Sequence, residues 1–295
     1  MEQPGSIPVP GSLVSRSAVT AATLVYSAPT PGCGSRYLDG RVAHEARVLS
    51  AFTAGETLAA ERGVGETVLG ASRAAMDLAG FADARASAYL APLSRAALLG
   101  EVVGRVLARL DHQDIEPFVR ALELAGQDAP LAGALRYAIG AGPEATLRDA
   151  MRFAAGRDAL AREYARGFEV TRELARPALL SALSRTDSIR GVLVQAYLEV
   201  LSEVPDLDVA ARAGRGEAED VARMATGVLK AGGVHSRRGL EGIANLDGLL
   251  RADGRLAPTA TEPPVIAAAF LVALEYGPDA LNHRLRPATG TDGSR

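Results

Sequence analysis

Apolar residues return at helical spacing from Leu13 to Tyr276, and the alternation of a half-buried strand is almost absent. That periodicity limits the chain to an all-α fold. Gly and Pro punctuate the pattern, and helices are predicted at 13–26, 42–61, 66–79, 86–109, 115–126, 130–140, 145–184, 188–203, 207–231, 237–252 and 263–276. Only 4% of the residues are aromatic and none is Trp, so Ala and Leu must fill the core, which favours close helix–helix packing. At 295 residues the chain can bury a sizeable core. No linker-like segment divides its middle and no fixed-period repeat occurs, so a single multi-helix bundle over 13–277 is expected. Residues 1–12 and 278–295, rich in Pro, Gly, Ser, Thr and Asp, read as disordered tails. The longest predicted helix, 145–184, is expected to be the central axis of the bundle, with Pro177 kinking it.

Several function classes are excluded by what the chain lacks. A net charge of -3 argues against general nucleic-acid binding, and Lys230 is the sole lysine. Cys33 alone forms no internal disulfide or thiolate cluster. His44, His112, His235 and His283 have no ligand spacing, so no zinc is expected, and neither haem nor flavin. The first residues lack the charged and apolar regions of a signal peptide, and no apolar run approaches the ~20 residues of a membrane span. The expectation is a cytoplasmic protein without a membrane or nucleic-acid partner, with self-association left open.

One stretch concentrates charge within the helical pattern: Arg157-Asp158-Ala159-Leu160-Ala161-Arg162-Glu163-Tyr164-Ala165-Arg166-Gly167-Phe168. On a continuous helix Phe153, Leu160, Tyr164, Phe168, Thr171 and Leu174 form an apolar stripe, and Arg157 falls inside it. A buried guanidinium stays charged and needs an anion, either a carboxylate or a ligand phosphate. Asp158 and Arg162, four apart, can pair. The plainer alternative is a structural salt bridge with Arg157 reaching solvent.

Loops between the predicted helices add further polar groups. They are Pro29-Thr30-Pro31-Gly32 running to Asp39-Gly40 and Ala43-His44-Glu45, then Phe81-Ala82-Asp83-Ala84-Arg85, then Glu203-Val204-Pro205-Asp206 with Asp208 and Arg212, then Ala257-Pro258-Thr259-Ala260-Thr261. With Ala91-Pro92-Leu93 and the Arg157–Phe168 stretch, their order and separation resemble the triphosphoribosyl-dephospho-CoA synthase family. The resemblance covers about residues 15–277 and is closest to the shorter archaeal-type branch. The family pattern Arg/Trp-Asp-x-Ile-Ala-Arg-x-Tyr-x-x-Gly-Phe is met throughout except at Leu160.

That resemblance implies an all-α transferase moving the 5-triphosphoribosyl group of ATP to a hydroxyl of dephospho-CoA, with release of adenine. Cleaving an N-glycosidic bond requires phosphate ligands, charge stabilisation at C1′, and proton transfers to the purine and from the acceptor. By resemblance, His44, Glu45, Asp158 and Asp206 are the catalytic candidates. Arg85, Arg157, Arg162, Tyr164 and Arg212 are the substrate and phosphate ligands, and Asp158 and Asp206 are Mg2+ ligands.

Each of these has a bland alternative. His44 can be an exposed helix histidine, Asp206 an N-cap, Asp208 and Arg212 a surface pair, Asp83 and Arg85 solvated loop charges, and Cys33 an inert thiol. The chain also departs from the family pattern. Thr30 and Ser35 stand where the family has Lys and Asp, and Phe81–Arg85 replaces an Asn-Thr-Asn-x-Gly or Asn-Thr-His-Lys-Gly loop. Leu207 replaces a Thr, and Ala257–Pro263 lacks the Gly and final Asp of Asn-Pro-Gly-Thr-Thr-Ala-Asp. The rivals to a divergent transferase are a decayed homologue that binds nucleotide or regulates, and a helical bundle that only binds a partner.

Overall fold

The computed structural model describes residues 7–38, 40, 42–126 and 131–282. The helices run α1 (Gly11–Ser27), α2 (His44–Leu58), α3 (Val64–Ala79), α4 (Ala84–Leu99), α5 (Val103–Ala108), α6 (Ile115–Leu124), α7 (Leu131–Gly140), α8 (Leu147–Ala154) and α9 (Ala159–Arg166). A π-helical turn, Val170–Ala175, leads into α10 (Arg176–Arg185), then α11 (Ile189–Glu203), α12 (Leu207–Ala213), α13 (Arg215–Lys230), α14 (Arg237–Ala252), α15 (Glu262–Tyr276) and α16 (Asp279–Asn282). Among the described residues there is no strand, only an isolated bridge between Ser35 and Leu38, so the all-α class holds. Residues 1–6, Asp39, His283 and the rest of the C-terminal segment lie outside the described residues. No described helix is long and apolar enough to cross a membrane.

The central helix is α15, and it replaces the predicted axis. Val265–Phe270 is buried all round, as are Val272 and Ala273. A helix without a polar face has to be enclosed. α15 accordingly packs against α1, α4, α10, α11 and the π-helical turn. Pro263 and Pro264 start it well, because first-turn residues need no intrahelical N–H and proline presets φ.

The expected continuous helix over 145–184 does not form, and its breaks have local causes. Asp158 adopts extended backbone (φ -134°, ψ 130°) and caps α9 by accepting from the Ala161 N–H at 2.8 Å. Its preference for the N-cap role outcompetes continuation of the helix. Gly167 ends α9 in the left-handed region, and Phe168 follows at φ +63°, the one non-glycine residue there among those described. Such a conformation costs about 1–2 kcal/mol. The Phe168 ring offsets it by full burial, lying edge-on to Tyr89 at 6.1 Å and tilted against Tyr164 at 5.7 Å. The wide π turn then precedes Pro177, whose ring would crowd the carbonyl of Glu173 in a regular α-helix.

The broken rod reverses two sequence expectations. Arg157, placed in the turn before α9, is exposed rather than inside an apolar stripe. Phe153 also points outward, stacked on Tyr137. Tyr164, expected to bind substrate, is a core residue with a structural task. Pro92 lies inside α4 and cannot donate to the carbonyl of Ala88 four residues earlier. The Tyr164 hydroxyl donates to that carbonyl at 2.7 Å, satisfying an acceptor that would otherwise be buried and unpaired.

Two phenylalanines from one predicted stripe therefore differ in weight. Phe168→Ala is expected to cost roughly 3–5 kcal/mol of unfolding free energy. Phe153→Ala is expected to change it by no more than about 0.5 kcal/mol. Urea denaturation of both variants against the parent chain checks this.

Candidate functional site

The amino-termini of three helices meet beside that of α15, and each of the four brings a carboxylate. Asp83 caps α4, Asp158 caps α9, Asp206 caps α12, and Glu262 lies in the first turn of α15. Helix N-termini favour negative charge, which explains why these acids are tolerated with little solvent contact. Gly32 brings the 29–35 loop to this place. At φ +77° a side chain there would meet Pro258 Cδ at 2.8 Å, and its N–H donates to Asp247 at 2.8 Å. The Tyr197 hydroxyl, within 3.1 Å of the Pro31 carbonyl and 3.3 Å of that of Pro258, ties the two loops together.

On one side of the 257–262 segment lies a narrow, partly open cleft of about 10 Å³, lined by Tyr89, Arg162, Glu163, Val200, Asp206 and Thr261 among others. The Nε of Arg162 is buried there and has no hydrogen-bond partner in the protein. The expected Asp158–Arg162 side-chain pair is absent, because Asp158 pairs instead with Arg85. Glu163, unassigned in the sequence reading, is buried and accepts from the N–H groups of Val170 (2.8 Å) and Thr171 (3.1 Å), which fixes the π turn beside the cleft. Burial pushes its carboxyl above the usual range.

Asp206 uses Oδ1 to accept from the N–H groups of Asp208 (2.9 Å) and Val209 (3.0 Å) and Oδ2 to accept from the Thr261 hydroxyl (2.8 Å). Burial, reinforced by neighbouring Asp208, raises its carboxyl to about 6. Arg85 spans the floor between elements. Its Nη2 contacts Asp158, and its Nη1 donates to both oxygens of Asp208 at 3.1 and 3.2 Å. Arg85 is therefore no solvated loop charge, and Asp208 does not pair with Arg212. Arg212 instead spends its donors on the carbonyls of Arg255 and Ala257 and on Thr259 Oγ1, while the Thr259 hydroxyl donates to Asp208 at 2.7 Å. The threonine that replaces a family glycine thus joins the polar network.

On the other side is a second buried network that the sequence reading missed. Arg47 pairs with Glu262, donates to the Gly34 carbonyl at 2.9 Å, and lies 4.0 Å over the Tyr26 ring. The Tyr26 hydroxyl donates to Asp83 at 2.9 Å. Glu262 keeps Oε1 buried without a partner, and burial raises its carboxyl despite Arg47. A lone acid at the head of the apolar run Val265–Leu274 was the available signal. Of the two candidates at the start of α2, His44 is half-buried with a partnerless Nδ1, while Glu45 is exposed and is left out of the site. Cys33 is buried, and burial pushes its thiol up to about 12, away from the thiolate form.

The expected Mg2+ ligands are both held by groups of the chain itself. Asp158 and Asp206 each have both oxygens engaged by protein donors. Among the described residues no three acidic, histidine or cysteine side chains gather to hold a metal.

The sequence profile of the CitG family, ATP:dephospho-CoA triphosphoribosyl transferase, matches residues 14–280. The chain is also similar to a solved structure from Archaeoglobus fulgidus, provisionally described as a triphosphoribosyl-dephospho-CoA synthase. The two are 25% identical, with a TM-score of 0.63, over 80% of this chain and 99% of that one. No curated protein matches the chain.

Asp206 is the titrating group with the clearest consequence. An acid whose folded pKa lies above its unfolded value of about 4 binds more protons when folded, so stability falls as pH rises between the two values. Here that window runs from about 4 to the raised value of about 6. Asp206→Asn retains an acceptor for the α12 cap and removes the titration. Its stability relative to the parent is expected to improve from pH 4 to pH 7 in thermal melts, and a constant difference across that range would contradict the assignment.

Proposed function

This chain belongs to the ATP:dephospho-CoA triphosphoribosyl transferase family, and from that premise we propose that it transfers the phosphorylated ribosyl unit of ATP, or of a related nucleotide, to a hydroxyl acceptor such as dephospho-CoA. The observation that carries this reading is the buried, unpartnered Nε of Arg162, in a cleft shared with the raised carboxyl of Asp206. A guanidinium nitrogen left without an acceptor is matched by a phosphate oxygen.

In the proposed reaction the acceptor oxygen bonds to C1′ while the bond from C1′ to the adenine nitrogen breaks, its electron pair leaving with adenine. Asp206 takes the acceptor's hydroxyl proton on the second lone pair of Oδ2, beside the Thr261 hydroxyl, since a carboxyl near 6 is ionised at neutral pH yet still basic. Arg162 holds phosphate. His44 starts α2 and does not line this cleft, so the departing adenine takes its proton from water. Arg85, Asp158 and Arg212 are positioning residues, because their contacts fix α4, α9, α12 and the 255–259 segment rather than the cleft contents. Mg2+ enters as part of the Mg·ATP substrate. Arg157 and Tyr164 take no part.

A second reading has its own support. Arg47, Arg85 and Arg212 are all engaged by groups of the chain itself, as in a site that binds nucleotide without turnover.

Chromatography of a reaction with Mg·ATP, with and without dephospho-CoA, separates the two. Adenine release that depends on acceptor is expected, with kcat/KM rising as pH passes through about 6. Arg162→Ala is expected to lower kcat/KM roughly 10–100-fold, the loss of one charge-assisted hydrogen bond. Nucleotide binding without adenine from any nucleotide would support the second reading instead.

A further inference from the structure

The cluster that joins α4, α9 and α12 holds two carboxylates from different helices with little solvent around them. Asp158 is fully buried, and the side chains of Asp208 and Arg85 are each 15% exposed. Two such acids, held together, need a cation between them. In oxygen-ligand sites a divalent ion commonly fills that need, using one or two carboxylates and completing its shell with water and phosphate.

Here the place is filled by the chain. The Arg85 fork turns one nitrogen to Asp158 and the other to both oxygens of Asp208. Each of the four oxygens carries a protein donor. Asp158 Oδ1 receives the Ala161 N–H at 2.8 Å, and Asp208 Oδ2 receives the Thr259 hydroxyl at 2.7 Å. An ion approaching these oxygens would meet a fixed positive charge that cannot be removed by deprotonation.

We infer that Arg85 is the site's resident cation: its guanidinium occupies the position between Asp158 and Asp208 that a divalent ion would otherwise take, so the protein without nucleotide carries no metal there. The inference stands whether or not the chain transfers a ribosyl unit, because it concerns the protein in the absence of any nucleotide.

The test is titration of the full chain with Mn2+ alone, following loss of the free-ion electron paramagnetic resonance signal. Wild type is expected to leave Mn2+ free, and Asp208→Asn in that background to change nothing. Arg85→Gln, with its fold checked by circular dichroism, is expected to gain one Mn2+ site at least about tenfold tighter than any wild-type binding. That gain is expected to vanish in Arg85→Gln/Asp208→Asn. Arg85→Lys, which keeps a cation and serves if the glutamine variant fails to fold, is expected to bind no better than wild type. One Mn2+ bound by wild type and lost on Asp158→Asn or Asp208→Asn would overturn the inference. So would a folded Arg85→Gln that gains nothing, or an Arg85→Lys that gains a site.

Discussion

The guanidinium of Arg85 is the contact on which the arrangement of the site depends. It reaches from the first turn of α4 to the cap of α9 and the first turn of α12, three helices far apart in sequence. A buried pair of this kind adds little net stability over an apolar replacement, but removing one partner costs about 3–5 kcal/mol by stranding the other. Its effect is therefore one of specification. With Arg85 fixed, Asp158 caps α9 and Asp208 orients Thr259, whose hydroxyl also accepts from Arg212, and Arg212 in turn holds the carbonyls of Arg255 and Ala257. The cleft beside Arg162 and Asp206 takes its walls from that chain of contacts.

The apolar part of the fold supplies a rigid frame. α15 is enclosed on all sides, and its amino-terminal end presents Thr261 to Asp206 and Glu262 to Arg47 on opposite sides. One deeply packed helix thus borders two polar networks. The link between Pro92 and Tyr164 shows the same economy, since a proline that breaks the α4 ladder creates the acceptor that a buried tyrosine needs. Phe168 and Tyr89 pack against that point, so the strained turn after α9 is held by aromatic contact.

The helical class and the loops that converge were legible in the sequence because periodicity and Gly/Pro punctuation are local signals. The central helix was not. The 145–184 pattern was long and amphipathic, yet Asp158, Gly167 and Phe168 cut it, and capping and left-handed turns act over one or two residues that a wheel averages away. α15 was expected as a helix over 263–276 but not as the axis, because its apolar run Val265–Leu274 shows no one-sided pattern. In the site, Asp158, Asp206, Arg85 and Arg162 do lie near one another, while Arg157, whose place depended on the helix phase, is exposed, as is Glu45, and Tyr164 lies in the core. Arg47, Glu262 and Tyr26 were missed because each finds its partner across 57 or more residues, where spacing gives no guidance.

The central claim is that the cleft beside Arg162 receives the phosphates of a nucleotide. A crystal of this chain soaked with Mg2+ and a non-hydrolysable ATP analogue tests it most directly. Phosphate density within hydrogen-bond reach of Arg162 Nε is the result expected. Density bound elsewhere on the molecule, with the cleft holding only water, would contradict the account while leaving the fold intact.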